Sequence, residues 1–161
     1  MILAICGSLR RDSSNRRLLL SSGLPDVVLY EGLDSLPHFN PDLDVDEPPP
    51  AVRELRELLA SADGWIISSP EYAHGVPGSL KNALDWLVSD GALIGKPIVL
   101  LNASAGGGEH AQAQLAEILK TMSMNVLTQA SLMSSVVRRG DAEVAAAVQR
   151  SLEALAAAIR R

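Results

Sequence analysis

The feature that most constrains this chain is alternation. Short, continuous apolar runs are separated by longer stretches whose apolar residues recur at helical spacing. ILAIC (2–6), VVLY (27–30), WIISS (65–69), PIVLLNAS (97–104) and a fifth run within NVLTQASLM (125–133) read as strands. Helices are expected near Asn15 to Ser22 and over 51–63, 79–88, 109–122 and 141–161. A strand that is apolar at every position has no solvent face, so both of its sides must be covered, as in a parallel sheet. ILAIC is such a strand, and five strands alternating with helices predict an α/β fold with helices on both faces of a parallel sheet. With 47% hydrophobic residues but only 3% aromatics, the core must be aliphatic. A chain of 161 residues suits a single domain, taken as 1–161.

Charge and composition exclude several functions. A formal net charge of −5 opposes binding to nucleic acid or to an anionic membrane surface. No apolar run approaches the roughly 18 residues of a membrane helix, and no basic region precedes ILAIC. The lone cysteine, Cys6, sits inside the first strand and reads as a small buried hydrophobe. A chain with no second cysteine to pair with suits a reducing compartment, and the expectation is cytoplasmic. Three histidines and one cysteine form no spaced metal set. There is no G-x-S-x-G elbow for a hydrolase nucleophile.

In parallel sheets of this kind, ligands bind beyond the carboxyl ends of the strands. The donor-rich loop GSLRRDSSNR (7–16) follows the first strand, PEYAHGVPG (70–78) the third and the Gly-rich AGGG (105–108) the fourth, so all three fall on one edge. A loop passing from a strand into a helix presents unpaired backbone N–H groups. Ser8, Ser13, Ser14 and Asn15 add side-chain donors, and Arg10 adds a planar, charged fork. A phosphate dianion fits that inventory, whereas helix capping alone needs only one Ser or Asn. Neither G-x-x-x-x-G-K-[ST] nor G-x-G-x-x-G is present, so the nucleoside triphosphate and Rossmann readings fail on residue type.

G-S-L-R-x-x-S-x-N (7–15), P-E-Y (70–72), G-V-P-G-x-L-K-N-A-L-D-W (75–86) and the Gly-rich turn together resemble the NADPH-dependent FMN reductase family of flavodoxin-like proteins. That family includes quinone, chromate and azo-dye reductases. The resemblance implies a flavodoxin-like three-layer sandwich with strand order 2-1-3-4-5. It implies bound FMN, NADPH or NADH as co-substrate, and a small electron acceptor. It also implies that Ser8, Arg10, Ser13 and Asn15 hold the FMN phosphate with help from the Ser14 backbone. Pro70, Glu71 and Tyr72, with Gly75 nearby, would contact the flavin ring, and Ser104, Ala105, Gly106 and Gly107 would line its other edge. A homodimer or homotetramer is implied, with helix 79–88 and LPHFNPDL (36–43) expected at the interface. The family commonly has Asn after P-E-Y; this chain has Ala73, then His74 and Gly75.

A flavin carries its own redox chemistry, so the protein need only bind, orient and tune it. No side chain is therefore assigned a catalytic role. Glu71 is expected to shape its loop, Asp85 to pair with Lys81 one turn earlier or to make an intersubunit contact, His74 to be an exposed loop residue, and Trp65 and Trp86 to pack in the core or an interface. Two other readings stay open: a flavodoxin-type electron carrier with protein partners, and a cofactor-free interaction module. The arginines at 10, 11, 16 and 17 argue against a carrier, whose flavin surroundings would be acidic.

Overall fold

The computed structural model describes residues 1–21, 26–103, 108–132 and 141–161. Five strands, β1 (Ile2–Cys6), β2 (Val27–Tyr30), β3 (Gly64–Ser68), β4 (Pro97–Leu101) and β5 (Asn125–Val126), form one sheet in the order β2-β1-β3-β4-β5. Every pairing is parallel. Five helices connect them: α1 (Ser14–Leu20), α2 (Pro50–Ser61), α3 (Gly78–Asp85), α4 (Glu109–Thr121) and α5 (Asp141–Ile159).

Strand periodicity sorts the aliphatic residues into two layers. Leu3, Ile5, Trp65, Ile67, Ile98 and Leu100 face α2, α3 and α4, where Val52, Leu55, Leu59, Leu80, Leu84, Leu115 and Leu119 are buried. The intervening residues Ile2, Ala4, Cys6, Ile66, Val99 and Leu101 face α1 and α5 through Leu18, Leu19, Val148, Leu152 and Leu155. Each such side chain removed from water contributes about 1.5–3 kcal/mol. This two-sided burial is why the central strands are apolar except at Ser68, whose hydroxyl is bonded to Asn15. Trp65 and Trp86 are fully buried in the first layer, so both are core residues within one protomer.

The segments expected at a subunit interface also pack on each other within the chain. Phe39 N–H donates to Asn82 Oδ1 at 2.7 Å, while Asn82 Nδ2 and Trp86 Nε1 both donate to the Pro37 carbonyl, at 2.9 and 2.8 Å. The Phe39 ring meets Trp86 edge-on at 5.0 Å. Asn82 and Trp86 lie four residues apart on one side of the helix, which explains why both occur in the L-K-N-A-L-D-W segment. Lys81 Nζ reaches Asp85 Oδ1 at 2.5 Å, as the i,i+4 spacing predicts. Arg56, from α2, bridges Asp44 Oδ1 (2.7 Å), Ser89 Oγ (3.0 Å) and the Trp86 carbonyl. Lys96 donates to the Leu59 and Ala62 carbonyls at 2.9 and 2.6 Å, closing the C-terminal end of α2.

Some expected boundaries move. The strand expected over 97–104 stops at Leu101, the last residue in register with β3. The fifth strand pairs over two residues only, then enters a 3-10 turn at Thr128–Ala130 and rejoins the ladder at Leu132. Across that gap the Ser131 hydroxyl accepts the Leu100 N–H at 3.0 Å, so a side chain substitutes for a missing backbone partner.

Candidate functional site

Strand order places the carboxyl ends of β1, β3 and β4 side by side, and the loops at 7–13, 69–77 and 102–108 leave from them. Gly7 N–H donates to the Ser68 carbonyl at 2.8 Å, which fixes where the first loop departs. A Cβ at Gly7 would lie 2.9 Å from Ser69 Oγ, so only glycine lets the two loops start this close together.

Within the first loop, the hydroxyl of Ser8 accepts the Arg10 N–H at 3.3 Å and lies 3.2 Å from the Tyr72 hydroxyl. The loops after β1 and β3 are thus in direct contact. Ser13 occupies the position before α1 and is 3% exposed, yet its hydroxyl makes no capping hydrogen bond there. Simple capping is therefore not what Ser13 does in this structure. Asn15 is 4% exposed, and its Oδ1 accepts both the Ser68 hydroxyl (2.8 Å) and the Ala103 N–H (3.0 Å). One side chain of α1 thereby ties together the tips of β3 and β4, leaving its amide NH2 as a donor. Ser14 lies half-buried in the first turn of α1.

Charge at this loop is uneven. Arg16 pairs with Glu31, and Arg17 reaches Asp12 at 3.6 Å. Arg10 and Arg11 are exposed and make no ion pair among the described residues. Two unpaired guanidinium groups on a chain of net charge −5 make the loop locally attractive to anions. Behind it lies a cavity of about 270 Å³, lined by Cys6, Ser8, Arg10, Arg16, Tyr30 and Glu31 among others. Burial, reinforced by the charges of Glu54 and Asp34, pushes the Tyr30 phenol up to about 12 and keeps it protonated. A larger cavity of about 800 Å³ lies between the β5 region and α5, and none of its described lining residues belongs to the three loops.

The second loop is a tight two-residue turn. Tyr72 and Gly75 exchange both backbone hydrogen bonds, at 3.0 and 2.9 Å, and the residues between them have φ of +49° (Ala73) and +61° (His74). Two left-handed residues in succession define a type I′ turn, which favours Asn-Gly or Asp-Gly. Left-handed backbone costs a residue with a Cβ about 1–2 kcal/mol. Three contacts from α4 hold it: Glu71 Oε2 accepts the Ala111 N–H at 2.9 Å, Gln114 Oε1 accepts the Val76 N–H at 2.8 Å, and the His74 and His110 rings stack at 4.4 Å, 13° from parallel. Glu71 therefore shapes its loop by bonding the first turn of α4. Pro70 is buried and Tyr72 is 54% exposed.

Of the third loop, Ser104, Ala105, Gly106 and Gly107 lie outside the described residues. Gly108 begins α4 with φ +133°, and a Cβ there would come within 2.2 Å of Asn102 Nδ2. Sequence reasoning missed His110, Gln114 and Ser68, which lie outside the recognised motifs. It also missed the part Asn82 plays in holding the 36–43 segment, although the motif contains it. No group of three potential metal ligands occurs among the described residues.

A parallel sheet in the order 2-1-3-4-5, with a donor-rich loop after β1 touching a tight turn after β3, defines a flavodoxin-like mononucleotide-binding protein. Residues 1–138 match the family model for NADPH-dependent FMN reductase, and the chain belongs to that family. It is 34% identical over 149 residues to a quinone reductase of Escherichia coli, covering 85% of this chain and 78% of the relative. It is 33% identical to an NAD(P)H-dependent FMN reductase of Pseudomonas aeruginosa, covering 99% and 95%. Among solved structures it is similar to a flavoenzyme NAD(P)H:(acceptor) oxidoreductase of Paracoccus denitrificans, with a TM-score of 0.84, 25% identity, and coverage of 99% and 96%.

The residues present fit FMN. Arg10 makes no ion pair among the described residues, the Ser13 hydroxyl accepts the Cys6 thiol at 4.0 Å and keeps its own proton to donate, and the turn presents its backbone to the same edge of the sheet.

Proposed function

We propose that this protein passes reducing equivalents from NADPH or NADH, through bound FMN, to a small acceptor of the quinone type. Its family is one of NAD(P)H-dependent FMN reductases, and relatives carry quinone reductase names. The observation that carries the reading is the meeting of two loops at Ser8 and Tyr72, which joins an anion-attracting segment to a turn able to meet a flat ring.

In this reading Arg10 and the Ser8 and Ser13 hydroxyls hold the phosphate, with the Ser14 backbone and the Asn15 amide NH2 beside them. The backbone of Pro70, Glu71, Tyr72 and Gly75 meets the ring, and Ser104, Ala105, Gly106 and Gly107 line its far edge. Held there, FMN would supply the hydride and electron-transfer chemistry between nicotinamide and acceptor. The protein orients the ring and supplies backbone donors for negative charge on it. No side chain is required as a general acid or base.

A single domain over 1–161 working in the cytoplasm, as a homodimer or homotetramer, completes the proposal. The described helices are not long and apolar enough to cross a membrane. Exposed Leu43, Val45 and Val88, beside the Asp44–Arg56–Ser89 link, support a subunit contact at that face. Light scattering at micromolar concentration tests assembly; a monomer ends that part.

The functional test is a visible spectrum of the purified protein, followed by anaerobic reduction with each nicotinamide and reoxidation by a quinone. A flavin that neither nicotinamide reduces would favour the electron carrier. A colourless protein that ignores added FMN would favour the cofactor-free module, and tighter binding of FAD than FMN would overturn the choice of cofactor.

A further inference from the structure

We propose that His110 and Gln114 of α4 are positioning residues for the flavin reaction, because they hold the Tyr72–Gly75 turn in a left-handed conformation that Ala73 disfavours. The inference rests on the FMN reading above but concerns residues outside the phosphate loop and outside the motifs that define the family resemblance.

The turn has two consecutive left-handed residues; histidine enters that region more readily than most residues, but alanine does not. Asn and Asp occupy left-handed backbone readily because a short polar side chain can bond locally; alanine has no such group. Ala73 therefore contributes nothing to its own conformation. His74 and His110 are exposed, and neither ring forms a hydrogen bond among the described residues. The stack between them is the specific contact each ring makes. The Val76 N–H, just beyond the turn, ends on Gln114 Oε1, an exposed α4 side chain four residues after His110. Spacing of four places His110 and Gln114 on the same side of the helix, facing the turn.

Glu71 binds the start of the turn, and the two α4 side chains bind its tip and its exit. The turn is thus pinned from outside at three successive points. Its backbone is what the reading assigns to the ring edge, so its geometry sets the contacts the ring receives. A turn freed from α4 would relax toward right-handed backbone and withdraw those contacts.

The test uses the full chain, the variants His110→Ala and Gln114→Ala, and Ala73→Asn placed both alone and in the His110→Ala background. Amide hydrogen exchange at Gly75 and Val76, measured without flavin, reads the turn itself. Roughly fivefold faster exchange is expected there in both single α4 variants, with the amides of Leu115 and Leu119 unchanged. FMN titration and steady-state kinetics then read the function. FMN affinity and kcat should fall severalfold while KM for the nicotinamide moves little. Ala73→Asn should restore both exchange and FMN affinity in the His110→Ala protein, because asparagine supplies the left-handed preference that the stack imposes. A merely structural role for His110 would not be rescued from position 73.

Unchanged exchange in His110→Ala, or faster exchange with FMN affinity and kcat unaltered, would overturn the proposal while leaving the FMN reading intact. Failure of Ala73→Asn to rescue would overturn it as well. A native protein that takes up no FMN would overturn the reading and this inference together, and it is recognised before any variant is made.

Discussion

The two loops that meet at Ser8 and Tyr72 are built in opposite ways. The loop after β1 is secured from beneath by Asn15, a residue inside the same recognised motif, buried and bonded to the tips of β3 and β4. The turn after β3 is secured by an element some forty residues later, through a carboxylate, an amide and a ring stack on α4. The first loop combines buried anchoring with exposed, uncommitted charge at Arg10 and Arg11. In the turn, left-handed strain is balanced by exposed contacts. A binding edge can thus join a stiff anion-holding side to an adjustable ring-facing side, and the two should fail differently.

The largest expected effect breaks the stiff side. Asn15→Ala leaves the Ser68 hydroxyl and the Ala103 N–H without their acceptor, at about 1–3 kcal/mol for each buried group. Urea denaturation should show a loss of roughly 2–6 kcal/mol on that basis. A loss under 1 kcal/mol would mean that Asn15 is not the anchor described.

Arg10→Ala should next separate binding from folding. The side chain is exposed and makes no ion pair among the described residues, so the unfolding midpoint should not move. FMN affinity by calorimetry should weaken by about 1.5–3 kcal/mol, the range for a charged hydrogen bond. Equal affinity would remove Arg10 from the phosphate site.

Acid should reach the scaffold by a third route, at Asp44, remote from both loops. The hydrogen bond from Arg56 is the largest cause that holds this carboxyl below its ordinary value of 3.8, with Ser89 adding to it against the opposing effect of burial. A folded pKa below the unfolded one makes the unfolded chain bind the proton first as pH falls. The contribution is complete above pH 3.8 and is lost as pH drops through that value to the lower folded one. Asp44→Asn should be less stable at pH 7, and its deficit should shrink as the pH falls through this window. A deficit that stays constant down to pH 2.5 would rule the pair out as a source of acid sensitivity.

The smallest effect sharpens the comparison on the adjustable side. Ala73→Asn, with His110 intact, should raise stability by roughly 0.5–1 kcal/mol by relieving left-handed strain, as for other changes that fit the backbone at positive φ. A thermal midpoint that falls would show that alanine is not strained at this position.

Much of this was legible in the residues before folding. The apolar runs 2–6, 27–30 and 65–69 match β1, β2 and β3 to within a residue; β1 is the clearest because a strand covered on both faces leaves an uninterrupted apolar record. The donor-rich loop was legible because its chemistry is contiguous. The end of β4 was not, since Asn102 and Ala103 continue an apolar-looking run and only register with Ser68 decides where pairing stops. Nor was the break in the fifth strand, where the Ser131 hydroxyl takes over from a backbone partner.

Local sequence determined the class of fold, the face each strand residue presents and the chemical inventory of the first loop, because alternation, burial and donor type are properties of short segments. Tertiary structure alone decided that Asn15 faces inward to bind two strand tips, that residues 36–43 rest against α3, and that α4 holds the turn at Tyr72–Gly75. Those outcomes depend on which segments the sheet order brings within hydrogen-bond reach, a long-range property that no window of neighbouring residues contains.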